Sequence, residues 1–147
     1  MSIDTMPREL PLFNPDLGLY LPVQVRVLRA AIADADALVL ASPEYAHGVT
    51  GVIKNTLDWL VSFEPFAGKC VAVLNASRRA YHADTALREF LQTMSAGVVE
   101  AASLSIALLG AKLSDAGMVA DPLASSVIKR ALSALQAAFS QRPSARG

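Results

Sequence analysis

Two short runs, Ala37-Leu38-Val39-Leu40-Ala41 and Cys70-Val71-Ala72-Val73-Leu74, are apolar at every position rather than at every second one. A run of that length with no polar face predicts a strand covered on both sides, as in a parallel sheet. Between them, residues 51–62 place Val52, Ile53, Leu57, Leu60 and Val61 at helical spacing, so the unit reads as a strand–helix–strand crossover with parallel strands. Upstream, Pro22 suits a first helical position, and Val23, Val27, Ala30 and Ala31 fall on one face of a helix that ends near Asp34. Downstream, Ala83, Ala86, Leu87, Phe90, Leu91 and Met94 outline a second crossover helix, and residues 98–109 contain a third apolar strand region. Asp121 and Pro122 form the cap and first turn of a last helix in which Leu123, Val127, Ala131, Leu135 and Phe139 recur every four residues. Residues 1–21, punctuated by Pro7, Pro11, Pro15 and Gly18, predict an irregular arm with at most a stub of strand. The tail, 141–147, is expected to fray. With no repeat and no linker, residues 1–147 read as a single three-layer α/β domain.

Composition narrows the class. At 147 residues the chain is long enough to bury roughly 70% of its unfolded surface. Hydrophobic residues make up 53% against 18% charged, which excludes disorder, yet no apolar run reaches the roughly 20 residues that span a bilayer. The 13 basic and 13 acidic residues cancel, leaving no field of the kind that neutralises nucleic-acid phosphates. Neither nucleic acid nor membrane is therefore expected as a partner. One cysteine makes no internal disulfide, and the start of the chain has no basic segment leading into an apolar one, so a cytoplasmic setting is expected. Cys70 opens a buried strand and reads as a small core residue; Met94 and Met118 read as core or gap fillers. Two histidines and scattered carboxylates show no metal-ligand spacing.

Candidate chemistry concentrates after the first apolar run. There the order is Pro43-Glu44-Tyr45, His47-Gly48, Gly51, Lys54-Asn55 and Leu57-Asp58-Trp59-Leu60, with Gly48 and Gly51 marking a tight loop at a strand's carboxyl end, where open α/β sheets receive ligands. This ordered set resembles the signature loop of the NAD(P)H-dependent FMN reductases, which have a flavodoxin-like fold. The similarity extends over residues 10–139, including Leu10-Pro11-Leu12-Phe13-Asn14 and Asn75-Ala76-Ser77-Arg78-Arg79-Ala80.

The resemblance implies an enzyme that passes hydride from NADPH or NADH to FMN and on to a quinone, metal-oxyanion, azo or free-flavin acceptor. It implies that Pro43, Glu44, Tyr45 and Ala46 line the FMN slot, chiefly through main-chain groups and the Tyr45 ring. The family usually has Asn where Ala46 stands. Ser77, Arg78 and Arg79, with Tyr81 beside them, would form the second FMN-contacting loop, next to a helix start that can receive anions. The adjacent arginines could instead hold the ribose phosphate of NADPH or remain solvated. Family members pair through the helix after the Pro-Glu-Tyr loop, which makes Lys54, Asp58 and Trp59 interface candidates in a homodimer or homotetramer, while Trp59 and Leu60 could equally be helix-packing residues. Read as residues alone, the loop could also be an ordinary strand-to-helix turn. His47 could cap or face solvent rather than move a proton, and Lys54 and Asn55 could fix the loop.

The resemblance also implies a first strand and a phosphate-wrapping loop ahead of everything seen here, so the expected fold is a flavodoxin-like sheet truncated at its N-terminus. The Ala37 strand would then form an open edge. Three readings follow: a complete reductase whose start codon is assigned late or whose chain is truncated, a catalytically inactive interaction or oligomerisation module, or a protein taking another flat or anionic ligand through Arg78 and Arg79.

Overall fold

The structure, a computed structural model, describes residues 6–18, 20–75, 77, 80–106, 117 and 120–142. The strands are β1 (Ala37–Ala41), β2 (Glu44–Tyr45), β3 (Gly48–Val49), β4 (Cys70–Leu74) and β5 (Gly97–Val98). The α-helices are α1 (Val23–Asp34), α2 (Gly51–Asp58), α3 (Tyr81–Thr93) and α4 (Pro122–Ser140).

Both apolar runs form strands with the bounds their pattern predicts. β1 and β4 pair in parallel from Ala37 with Cys70 to Ala41 with Leu74, and β5 adds in parallel on the far side of β4. β4 is central and buried from Cys70 to Val73, with strands on both edges and helices on both faces. Its alternation divides the core. Val71 and Val73 meet Val25, Leu28 and Ile32 of α1, Leu57, Trp59 and Leu60 at the end of α2, and Leu87 and Leu91 of α3. Cys70 and Ala72 face Leu135 of α4 and Ala102. This gives the three layers of a flavodoxin-like α/β fold, with α1 to α3 over one face and α4 over the other. Among the described residues, β1 is paired on one side, with β4.

Several faces differ from the pattern reading. On α1 the core takes Val25, Leu28 and Ile32, while the anticipated stripe of Val23, Val27, Ala30 and Ala31 is exposed. Both stripes have helical spacing, and the bulkier Leu28 and Ile32 win the interior because burial scales with apolar area. On α2, Leu57 is buried and Ile53 half-buried, but Val52 and Val61 are exposed, and the helix stops at Asp58 rather than running to residue 62. At its end Arg29, from α1, donates through Nε and Nη2 to the Trp59 carbonyl at 3.1 and 2.7 Å. A cation there satisfies a terminal acceptor and complements the helix dipole. On α4 the buried residues are Ala124, Ala131 and Leu135, while Leu123 is exposed. The third strand region starts one residue early, at Gly97, and after Val98 continues as a 3-10 turn and a single bridge between Asn75 and Ser105. Residues 107–109 lie outside the described residues.

The arm is better organised than its prolines suggest. It holds 3-10 turns at Met6–Glu9 and Pro15–Leu17 and no strand among the described residues. Asn55 fixes it: Nδ2 donates to the Pro11 carbonyl at 3.0 Å, and Oδ1 accepts from the Phe13 amide at 2.8 Å. The Trp59 indole donates to the same Pro11 carbonyl at 2.8 Å. Asn55 therefore fixes a segment, but the arm rather than the loop before its own helix. Lys54 is ion-paired with Asp58 on α2.

Candidate functional site

The site is built on the loops that leave β1 and β4 at their carboxyl ends. After β1, Ser42 and Pro43 lead into a two-residue hairpin, β2 paired antiparallel with β3. Its turn residues, Ala46 and His47, both have positive φ, 49° and 58°. Two such residues define the turn whose twist matches a hairpin, which is why Asn and Gly prevail there. The glycines expected to supply this freedom do not. Gly48 lies in β3 without a positive φ, and a Cβ on Gly51 would meet nothing. The Asn that the resemblance places at position 46 has a backbone reason, since Asn tolerates the left-handed region. Ala46→Gly is expected to raise stability by about 0.5–1 kcal/mol by removing one strained alanine. Thermal unfolding checks this as a rise of a few degrees in Tm, with Gly51→Ala as a control at a site with no positive φ.

The hairpin is tied to the second loop through Glu44. Its Oε2 accepts from the Ala83 amide in the first turn of α3 at 2.8 Å, and its Oε1 lies 3.2 Å from His47 Nδ1. The Ala83 hydrogen bond is the main reason its carboxyl is held below the ordinary range; partial burial opposes it, and His47 and His82 add to it. Glu44 thus sits among the residues assigned to the slot, but its carboxylate faces α3. The helix start expected to receive a ligand's anion already has this carboxylate on the Ala83 amide. His47 and His82 meet edge to face with ring centroids 4.7 Å apart, and Tyr81 continues the row at 5.6 Å from His82. Tyr45 and Tyr81 are each 69% exposed, so both rings are open to a flat partner.

The second loop hangs from Asn75. Its Oδ1 accepts from the Ser77 amide at 3.0 Å, and its Nδ2 donates to the Ala80 carbonyl at 3.0 Å, so one buried side chain spans the loop. Asn followed two residues on by Ser is a turn signal that sequence reasoning could have used. His82 carries no such signal. Ser77 is half-buried at the loop's start. Arg78 and Arg79 lie outside the described residues. Trp59, read from the sequence as a helix-packing or interface residue, is 1% exposed and packs inside its own chain, in keeping with the first of these. Cys70 is buried, as its strand pattern required. Met94 packs against the main core, and Met118 lies outside the described residues.

The structure tests whether these residues suit a flavin. The depression between the loops, lined by Ser42, Asn75, Ala80 and Ala83 among others, has a volume of only about 10 Å³. A three-ring system therefore does not enter it and would lie across the exposed tops of the two loops, where Tyr45 and the hairpin backbone are accessible. An exposed aromatic face beside accessible backbone groups is the chemistry that the ring end of FMN would need. Among the described residues, the Ala83 amide is not available to its phosphate.

Comparison with known proteins agrees with this geometry. The family model described as NADPH-dependent FMN reductase matches residues 3–108. An NAD(P)H-dependent FMN reductase of Pseudomonas aeruginosa is 34% identical, the match covering 86% of this chain and 72% of that protein. A quinone reductase of Escherichia coli is 32% identical over 67% of this chain and 57% of its own length. The chain thus spans about three fifths to three quarters of these relatives. The solved structure of the flavoenzyme NAD(P)H:(acceptor) oxidoreductase FerB from Paracoccus denitrificans superposes with a TM-score of 0.74 at 24% identity, covering 88% of this chain and 75% of that one, and so shares the fold. With a family match over most of its length and the signature loop standing at the carboxyl end of a parallel strand, this chain belongs to the NADPH-dependent FMN reductase family.

Proposed function

We propose that this chain is an NAD(P)H-dependent FMN oxidoreductase that serves a small-molecule acceptor of the quinone type, with metal oxyanions, azo compounds and free flavin in the same class. The observation that carries the reading is the link from Glu44 to the Ala83 amide, which joins the two loops at adjacent strand ends into one rigid platform beside an exposed Tyr45. Bound FMN supplies the chemistry, accepting hydride from a nicotinamide and releasing it to an acceptor that follows into the same place. The chain's own residues bind and orient. Pro43, Tyr45 and Ala46 would border the ring through backbone groups and the tyrosine face, Ser77 and the adjoining Arg78 and Arg79 would complete the second side, and Glu44 and Asn75 hold the two loops in place. A cytoplasmic location and a homodimeric or homotetrameric state belong to the same reading. The first is supported by the single cysteine, and the second by the family resemblance.

Titration of the purified chain with FMN, followed by quenching of flavin fluorescence, tests it. The expected result is saturable binding in the micromolar range or tighter that Pro43→Ala/Tyr45→Ala weakens by at least about tenfold, the loss of an aromatic contact and a fixed loop geometry. Absence of saturation overturns the reading for this chain.

A further inference from the structure

We infer that His82 is a positioning residue of the platform: with Glu44 it holds the His47 ring, and through it keeps the hairpin turn in the form in which Ala46 and His47 carry positive φ. The inference rests on the proposed function only in its last step, the effect of that turn on FMN.

The turn stands against a local alternative that its own residues favour. In Ala46-His47-Gly48 the glycine comes third, and a hairpin loop of that order ordinarily keeps the first two residues in the right-handed region and gives the positive φ to the glycine. Here the assignment is reversed. φ is 49° at Ala46 and 58° at His47, while Gly48 pairs with Tyr45 and has no positive φ. Left-handed backbone at two residues that bear a Cβ persists only where surrounding contacts determine it. The two forms are mirror images at the Ala46–His47 peptide, so they aim its carbonyl and amide to opposite faces of the hairpin tip. Those main-chain groups are what the hairpin offers a flat ligand.

The determining contacts converge on His47. Its Nδ1 lies 3.2 Å from Glu44 Oε1, and because an ionised carboxylate only accepts, Nδ1 carries the proton and donates. The ring then meets that of His82 edge to face at 4.7 Å, a spacing at which aromatic rings attract beyond the area they bury. Ala83, the next residue along α3, donates its amide to the other oxygen of Glu44 at 2.8 Å. Glu44, His47, His82 and Ala83 thus close a circuit, two residues from the hairpin and two consecutive ones from the first turn of α3, in which each link fixes the direction of the next. The circuit spans the loops of β1 and β4, strands that pair with each other, so all its members lie within the described residues. His82 is exposed, so its truncation opens no cavity in the core and acts on the circuit alone.

Backbone couplings and chemical shifts measured by NMR on the full chain without flavin, together with the FMN titration, test the inference, and far-UV circular dichroism establishes that each variant is folded. The wild type should show positive φ at Ala46 and His47. In His82→Ala the positive φ should pass to Gly48, and FMN should bind about three- to tenfold more weakly, the equivalent of one ring contact. His82→Phe, which keeps a ring and removes the titratable group, should bind within about twofold of the wild type. Gly48→Ala should rescue His82→Ala, because it closes off the alternative. A Cβ at Gly48 meets nothing nearer than the Tyr45 carbonyl at 3.7 Å in the present turn, but would be strained at a positive φ. A residue that merely filled space on α3 would not be rescued from across the turn. An unchanged turn in His82→Ala, or weakened binding that neither His82→Phe nor Gly48→Ala restores, overturns the inference. If the wild type fails to saturate with FMN while the turn still shifts in His82→Ala, the functional reading falls and the hold of His82 on the turn stands.

Discussion

Trp59→Ala is expected to cost this chain about 3–5 kcal/mol, the range for truncating a fully buried large aromatic residue, against a typical total of about 5–15 kcal/mol. Three separate attachments converge on that side chain. The indole is 1% exposed within the main core. Its ring meets Phe13 edge to face with centroids 5.1 Å apart. Its N–H holds the Pro11 carbonyl. Removing it leaves a cavity and releases one of the two donors that pin the arm. Trp59→Phe, which keeps most of the ring volume and loses only the donor, should cost less than half as much, because Asn55 still donates to Pro11. Urea unfolding checks both as a fall in the midpoint with little change in slope. If Trp59 acted at a subunit interface instead, the alanine variant would change the association state and leave the unfolding of the monomer nearly intact.

Replacing Glu44 with alanine should weaken FMN binding by roughly ten- to a hundredfold, the usual consequence of deleting one partner of a charge-assisted hydrogen bond. The carboxylate holds the hairpin to α3, so its loss affects both loops of the platform at once. Its titration supplies a signature that mere loss of surface would not. The folded-state carboxyl is held below its ordinary value, chiefly by the Ala83 amide. A depressed carboxylate contributes stability that is fully present above the unfolded value, about 4.3, and is lost as pH falls through the lower folded one. The gap in stability between the wild type and Glu44→Ala should therefore stay constant from neutral pH down to about 5 and close as the solution is acidified further. Thermal unfolding across that range tests it; a gap independent of pH would mean that the Ala83 contact does not depend on the charge.

What could be read from the chain follows from how far apart the interacting residues lie. β1 and β4 were legible to the residue because a run apolar at every position has few other solutions than a strand buried on both faces. The existence of α1 to α4 was legible for the same kind of reason, but not always which stripe turns inward. On α1 two stripes had helical spacing, and only the packing against β1 and β4 decided between them. The hairpin escaped because two-residue strands leave no periodicity, and because its strained positions hold Ala46 and His47 where glycine would have announced a turn. Within the site, Pro43 and Tyr45 stand at the strand end their motif implied. The α3 partner of Glu44, Ala83, is 39 residues away and those of Asn55 are 42 and 44 away, distances over which no local pattern reports.

The clamp on the arm sets how its motions are linked to the rest of the molecule. Residues 11–13 have no ladder or helix of their own, yet the Phe13 amide is closed by Asn55 and the Pro11 carbonyl is held by both Asn55 and Trp59. The arm can open only when the end of α2 lets go, and α2 is itself held by Arg29 from the preceding helix. A segment without regular structure is thereby tied to the opening of a helix more than 40 residues away in sequence, and the Phe13 amide is expected to exchange with the slow cooperative unit of the core.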